Sequence, residues 1–212
     1  DICSFADIIM RDVVHEEVGP FKRKKIHGDV GQVLEKVYAE RLDEHFGELA
    51  LHFLESGDKE KALGYFLKAG DKAAKVYANS EAASYFQSAL RLLEEKEGAL
   101  EQKANAFERL GDVERLVGKY ANCVKHWDET LPLWTKLEEK DRTATLHRKM
   151  ANVLWDMLGE KKNAKEHHEA ALEILETQPE RVELARLYED MAHMHRRIGE
   201  FAEALPLAEK AL

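Results

Sequence analysis

The chain has 212 residues, with 41 acidic against 32 basic side chains and a net charge of −9. Such a surface repels a phosphate backbone, which excludes non-specific nucleic-acid binding. With 34% charged and 44% hydrophobic residues, but only 12 Gly and 4 Pro, the composition describes a folded chain with many exposed helix faces and little loop.

No apolar run approaches the roughly 18 residues that a membrane-spanning helix needs, and the opening residues do not read as a signal peptide. Cys3 and Cys123 lie too far apart for a metal motif, and Cys123 takes the place of a small core residue. The expected setting is reducing and cytoplasmic. The chain opens on Asp1 and stops at Leu212 inside a helical pattern, and it is read as a fragment of a longer protein.

Residues 1–18 differ from the rest. Ile2-Cys3-Ser4-Phe5 reads as a short strand, and Asp7 as the cap of a helix carrying Ile8, Ile9, Val13 and Val14. Gly19-Pro20 breaks it. Residues 21–39 begin with Lys22, Arg23, Lys24 and Lys25, read as a solvated helix start. They turn amphipathic through Ile26, Val30, Val33, Leu34 and Val37. Acidic and basic residues balance across 1–27, which leaves no net attraction for nucleic acid.

From Arg41 onward the pattern predicts antiparallel helices. The first covers 40–56 and ends at Gly57, and Asp58 caps the next, 59–77. Then come 80–95, capped by Asn79-Ser80-Glu81, and 99–117, 120–137, 141–158, 161–176, 180–198 and 201–212. Pro179 suits a first turn. Pro132 and Pro206 fall inside predicted helices, where a kink or an early end is expected.

A repeat runs through these helices. In residues 104–133, Leu110-Gly111 is followed by Gly118, Tyr120, Cys123, Trp127 and Leu131. A small residue lets two helices approach, a glycine turns the chain, and an aromatic fills the groove. Ala82, Cys123, Ala164 and Ala204 open successive second helices and stand 41, 41 and 40 residues apart, while Ala62 precedes Ala82 by only 20. Helix 59–77 therefore serves two hairpins in a continuous zigzag. Met150 lies nine residues before Gly159, where Leu110 and Met191 lie eight before Gly118 and Gly199. The turn at Gly159 is expected to hold one extra residue.

This small-to-large pattern resembles the tetratricopeptide repeat, with helices nearly a turn longer than its usual unit of about 34 residues. The expected fold is all-α. Antiparallel helix hairpins of period about 40 form a right-handed superhelix behind a short winged-helix remnant, with domains 1–39 and 40–212. First helices of each pair line the concave groove. Its candidate protein-binding residues are Asn105, Glu108, Asp112 and Arg115, then Arg148, Asn152 and Trp155, then Arg186, Glu189, His193 and Arg196. The chaperone-tail type of such domains clamps a carboxylate with Lys and Asn. Glu108 and Asp112 oppose that chemistry, and only Arg148 and Asn152 resemble it.

Catalytic and metal motifs are missing. His167-His168 and His193-x-His195 do not place two rings on one helix face, and HExxH does not occur. His168 holds the aromatic core position of Trp127 and Phe86. Neither G-x-x-x-x-G-K-[ST] nor G-x-S-x-G is present. Glu94-Glu95 and Glu138-Glu139 sit at helix ends beside Lys96 and Lys140 and read as solvated. Trp127 reads as core, Trp134 as packing between repeats, and Trp155 as a candidate for partner binding. No catalytic residue, cofactor or metal is expected.

The N-terminal third carries a second resemblance. Phe5-x-x-x-Ile9-Met10-Arg11-Asp12-Val13, Lys22-Arg23-Lys24-Lys25-x-His27 and Tyr38-Ala39-Glu40-Arg41-Leu42-Asp43-Glu44-His45 follow in order. Leu49-Ala50-x-His52-Phe53-x-x-x-Gly57-Asp58-x-x-Lys61-Ala62, Ala69-Gly70-Asp71-Lys72-Ala73 and Tyr77-Ala78-Asn79-Ser80-Glu81-Ala82 come next. The order resembles the region after the ATPase core in signal-transduction ATPases of the STAND class, the predicted ATPases associated with adenylate cyclase, kinase or activator domains. Asp7 stands where that family usually has histidine, and Ile26 where Leu precedes the histidine. The resemblance implies a non-catalytic sensor or scaffold arm for protein–protein interaction, touching an upstream ATPase module of its own chain. A free-standing adaptor that binds a protein or peptide in the groove is the alternative. Neither nucleic acid nor membrane is an expected partner.

Overall fold

The computed structural model describes residues 19–177 and 182–212. The strand and helix expected over 1–18, with the winged-helix remnant they would form, lie outside the described residues, as does Pro179. Among the described residues ten α-helices follow one another and no strand occurs. They are α1 (Pro20–Val37), α2 (Phe46–Ser56), α3 (Lys59–Lys75), α4 (Asn79–Glu94), α5 (Leu100–Leu116), α6 (Tyr120–Lys136), α7 (Lys140–Val153), α8 (Lys161–Glu176), α9 (Val182–Arg197) and α10 (Phe201–Lys210). None of them is long and apolar enough to cross a membrane.

Five of these helices, α2, α3, α5, α6 and α9, stop by one recurring device. A residue in the left-handed region ends the helix, and the next N–H reaches back five residues to a last-turn carbonyl. Asp58 N–H bonds Phe53 O at 3.0 Å, Lys119 N–H bonds Glu114 O at 2.9 Å and Glu200 N–H bonds His195 O at 3.0 Å. Gly57, Gly118 and Gly199 supply the positive φ there, but Tyr77 and Glu138 supply it at the ends of α3 and α6. Asp58 caps α3 by accepting the Lys61 N–H at 3.0 Å, as the sequence predicts.

Three expectations are corrected. The extra residue before Gly159 is not in the turn. It is absorbed inside the helix as a π turn, Leu154–Leu158, and Glu160 N–H reaches back six residues to Leu154 O at 2.9 Å. The expected helix 40–56 is split into a 3-10 segment, Ala39–His45, and α2, with Arg41 at φ −134°. Tyr38 and His45 stack at 3.8 Å and fold that segment tightly. Pro132 and Pro206 end neither helix: α6 and α10 run through them. Both prolines are exposed, so the carbonyl left without a donor faces water.

Contacts divide the chain into two compact units between Leu92 and Leu93. In the first unit α2 and α3 form a hairpin, and Phe86 of α4 lies against Gly70 of α3. In the second unit α5/α6, α7/α8 and α9/α10 form hairpins. Its core is built on Cys123, Trp127, Trp134, Leu146, Met150 and Leu154, and a smaller cluster joins Ala144, Ala171, Leu175 and Leu187.

The hairpins are matched in size at one point. A Cβ on Gly70 would lie 2.6 Å from the Phe86 ring, and one on Gly111 would lie 2.6 Å from the Trp127 indole. Where the second helix carries the smaller His168 or Ala208, the first helix carries Ala151 or Ala192 in the same register. Bulk on one helix is offset by its lack on the other.

Candidate protein-interaction face

Helices α5, α7 and α9 of the second unit carry the residues singled out from the sequence. Their polar groups are tied together from helix to helix. Lys149 Nζ of α7 donates to Glu108 Oε1 at 3.0 Å and to the two Asp112 oxygens at 3.0 and 3.1 Å, both on α5. Glu108 also accepts the Trp134 indole N–H at 3.0 Å through Oε2, which fixes that carboxylate from the hairpin partner.

One repeat on, the polarity is reversed. Asp190 of α9 now reaches back, and its Oδ2 accepts Arg148 Nη1 at 2.7 Å and Asn152 Nδ2 at 2.8 Å, both on α7. In each case one side chain of a following first helix is held by two side chains, a turn apart, of the preceding one. The acidic pair holds a cation, and the basic and amide pair holds an anion. Asn105 Oδ1 accepts Arg142 Nη1 at 2.8 Å, and Arg186 Nη1 donates to Glu183 Oε1 at 2.6 Å.

The eleven candidates therefore fall into three groups. Asn105, Glu108, Asp112, Arg148 and Asn152 are engaged with a neighbouring first helix, and Arg186 within its own. Trp155 is half-buried against the core, with Lys161 Nζ 5.4 Å from its ring centre. Arg115, Glu189, His193 and Arg196 are exposed. Glu189, His193 and Arg196 lie along an apolar groove of about 490 Å3, beside exposed Phe201 and Leu205 of α10. The sequence reading missed Lys149 and Asp190. Each follows directly after a residue it did select, Arg148 or Glu189, and that one-residue step turns the side chain back towards the preceding helix.

Charge and burial act together in this network. Burial alone would lower the Lys149 pKa, but the Asp112 and Glu108 carboxylates reverse that and hold it above its ordinary value. One ammonium is shared by two carboxylates. Burial, with Glu108 nearby, therefore keeps Asp112 above the usual carboxylate range despite Lys149.

No group of three or more His, Cys, Asp or Glu among the described residues is placed to hold a metal ion. His147 and His167 approach instead as a pair, with Nδ1 atoms 2.8 Å apart, and His27 and His52 do the same at 3.0 Å. One neutral ring donates to the other in such a pair. Burial, then the neighbouring His167, pushes the His147 pKa down to about 4.

His168 fills its core position with 1% of its surface exposed, and neither ring nitrogen has a hydrogen-bond partner. Burial pushes its pKa down to about 4, from an ordinary value of 6.5. Between those values the unfolded chain binds a proton that the folded chain refuses. Stability is whole above pH 6.5 and falls with decreasing pH by about 1.4 kcal/mol per unit from this residue. His147 acts in the same direction. The expected result for His168→Phe is a shallower loss between pH 6.5 and 4. At pH 7 the two desolvated nitrogens are removed, but the larger ring meets Ala151 where Phe86 and Trp127 meet glycine, and that overpacking costs about 1–3 kcal/mol. Urea denaturation at several pH values measures both.

Residues 102–177 match the family model of the tetratricopeptide repeat. No curated protein matches the chain. Solved structures do. BtubC (BKLC) from P. vanneervenii is 16% identical with a TM-score of 0.64, over 91% of this chain and 89% of that one. A putative kinesin light chain of Podosopora anserina, with nearly identical TPR-like repeats, is 11% identical with a TM-score of 0.68, over 91% of this chain and 94% of that one. The apo form of RapI is 16% identical with a TM-score of 0.70, over 96% of this chain and 56% of that one. Identities this low speak for the fold alone. Over residues 102–177 the sequence is similar to the tetratricopeptide repeat, and the helical hairpins have the fold of TPR-like solved structures.

Proposed function

We propose that this chain is a non-catalytic scaffold for protein–protein interaction and serves as the sensor arm of a larger signal-transduction ATPase of the STAND class. The observation that carries the scaffold reading is the division of the polar face. Inner residues lock one first helix to the next, so the face is rigid, while Arg115, Glu189, His193 and Arg196 remain exposed on it. Rigid presentation lowers the ordering cost of binding.

The arm reading is supported by the ordered motifs from Phe5 to Ala82. Gly57, Asp58 and Gly70 within them have structural roles here, as helix stop, helix cap and seat for Phe86. Its partners would be an upstream ATPase module and a protein or peptide effector whose affinity differs between two states of the whole protein. A cytoplasmic setting suits the buried free thiol of Cys123. Domains of 1–39 and 40–212 go with this reading.

The test is the reading frame upstream of Asp1. A G-x-x-x-x-G-K-[ST] motif a few hundred residues earlier is the expected result, and deletion of the arm should then change ATPase activity or its regulation. A frame that starts close to Asp1 makes the chain a free-standing adaptor instead.

A further inference from the structure

The π turn has a cavity beside it. Its volume is about 270 Å3, and it opens between the Gly118 end of the α5/α6 hairpin and residues 153–157. Among the described residues no other helix carries a π turn. The wider turn sets Asp156 and Met157 at the rim, with Met157 54% exposed, above a wall formed by Val153 and Tyr120. Single π turns are frequent at functional sites because they place side chains where a regular helix would not.

The charges around this cavity are nearly all committed. Lys149 is held by Glu108 and Asp112, and Asp156 pairs with Arg197. The Asn152 amide donates to Asp190. Arg115 is left. It lines the cavity, is exposed, and makes no ion pair or side-chain hydrogen bond among the described residues. A guanidinium that only shares the field of Asp112 and pairs directly with no carboxylate, next to an apolar wall, matches a carboxylate beside an aliphatic side chain. The carboxylate accepts two parallel hydrogen bonds from the guanidinium.

We propose that this cavity receives an acidic side chain of a partner protein's linear segment. Its carboxylate sits on Arg115, and the adjoining aliphatic residue packs on Val153, Tyr120 and Met157. The site rests on the scaffold reading above and gives that reading a ligand class. It differs from a terminal-carboxylate clamp, because the paired positions such a clamp would use, Glu108 with Asp112 and Arg148 with Asn152, are already occupied by Lys149 and Asp190.

Selection from a random linear peptide library on the 212-residue chain tests it, in parallel on wild type and Arg115→Glu. The expected wild-type consensus has Asp or Glu at one fixed place next to Leu, Ile, Val or Met. A synthetic peptide of that consensus should bind Arg115→Ala about ten- to a hundredfold more weakly, the loss of one charged hydrogen-bonded contact. Arg115→Glu should select Lys or Arg in that place. Met157→Ala should weaken the same peptide and leave its acidic preference intact. Circular dichroism confirms folding of each variant, since both side chains are exposed. Peptides without an acidic position, or bound equally by Arg115→Glu, overturn the site and leave the scaffold standing. Failure to select any peptide removes both the site and the peptide-binding form of the scaffold reading.

Discussion

Trp127→Ala is expected to cost about 3–5 kcal/mol, the largest single loss in the second unit. The indole is fully buried, anchors the main core cluster and donates to the Glu108 carbonyl at 3.3 Å. Gly111→Ala attacks the same contact from the other side and should cost about 1–3 kcal/mol, because its new methyl group meets the indole and the backbone of α6. The pair is informative together. Gly111→Ala with Trp127→His recreates the combination found at Ala151 and His168. The double variant should be more stable than the sum of the single losses by about 1–2 kcal/mol. Urea denaturation of the four proteins measures the coupling. Additive losses would show that the two helices meet without size matching.

Lys149→Ala is the second large effect. It leaves Glu108 and Asp112 facing each other without their shared cation. Breaking a fully buried pair costs about 3–5 kcal/mol, and partial access of water to Asp112, 38% exposed, reduces this to about 2–3 kcal/mol. Lys149→Ala combined with Asp112→Asn should recover part of the loss, since one of the repelling charges is gone. Acidification should narrow the gap between Lys149→Ala and wild type, because Asp112 already stands above the ordinary carboxylate range and takes up a proton early. A gap that stays constant with pH would place the loss in packing of the lysine stem.

The helices were legible because their signals are local. Gly57 and Gly118 at the stops, Asp58 at a cap, and small residues recurring about 41 apart each act within a few residues of themselves. The expected helix over 40–56 failed because the 3-10 segment depends on the stack of Tyr38 on His45, a contact that no periodicity reports. The extra residue before Gly159 was countable, yet its place was not. A loop insertion and a π turn lengthen the sequence equally, and the choice between them is made by packing.

The face on α5, α7 and α9 was legible in membership and not in role. Positions on one side of a helix were found, but periodicity treats a neighbouring helix and solvent alike. Glu108 and Arg148 therefore looked like groove residues when each also bonds the next first helix. Their partners Lys149 and Asp190 stand one position off that register.

The alternation of those bonds has a consequence for assembly. Hairpins of a common plan invite mispairing, since any one offers its neighbours much the same apolar surface. Here a wrong neighbour meets the wrong sign. If α9 settled on α5, Asp190 would face Glu108 and Asp112. If a second copy of α7 settled on α7, Lys149 would face Arg148. Both arrangements oppose like charges in a partly buried place. The order of the hairpins is thus written in charge as well as in chain connectivity, and exchange of hairpins between two chains is discouraged at all but the matching register.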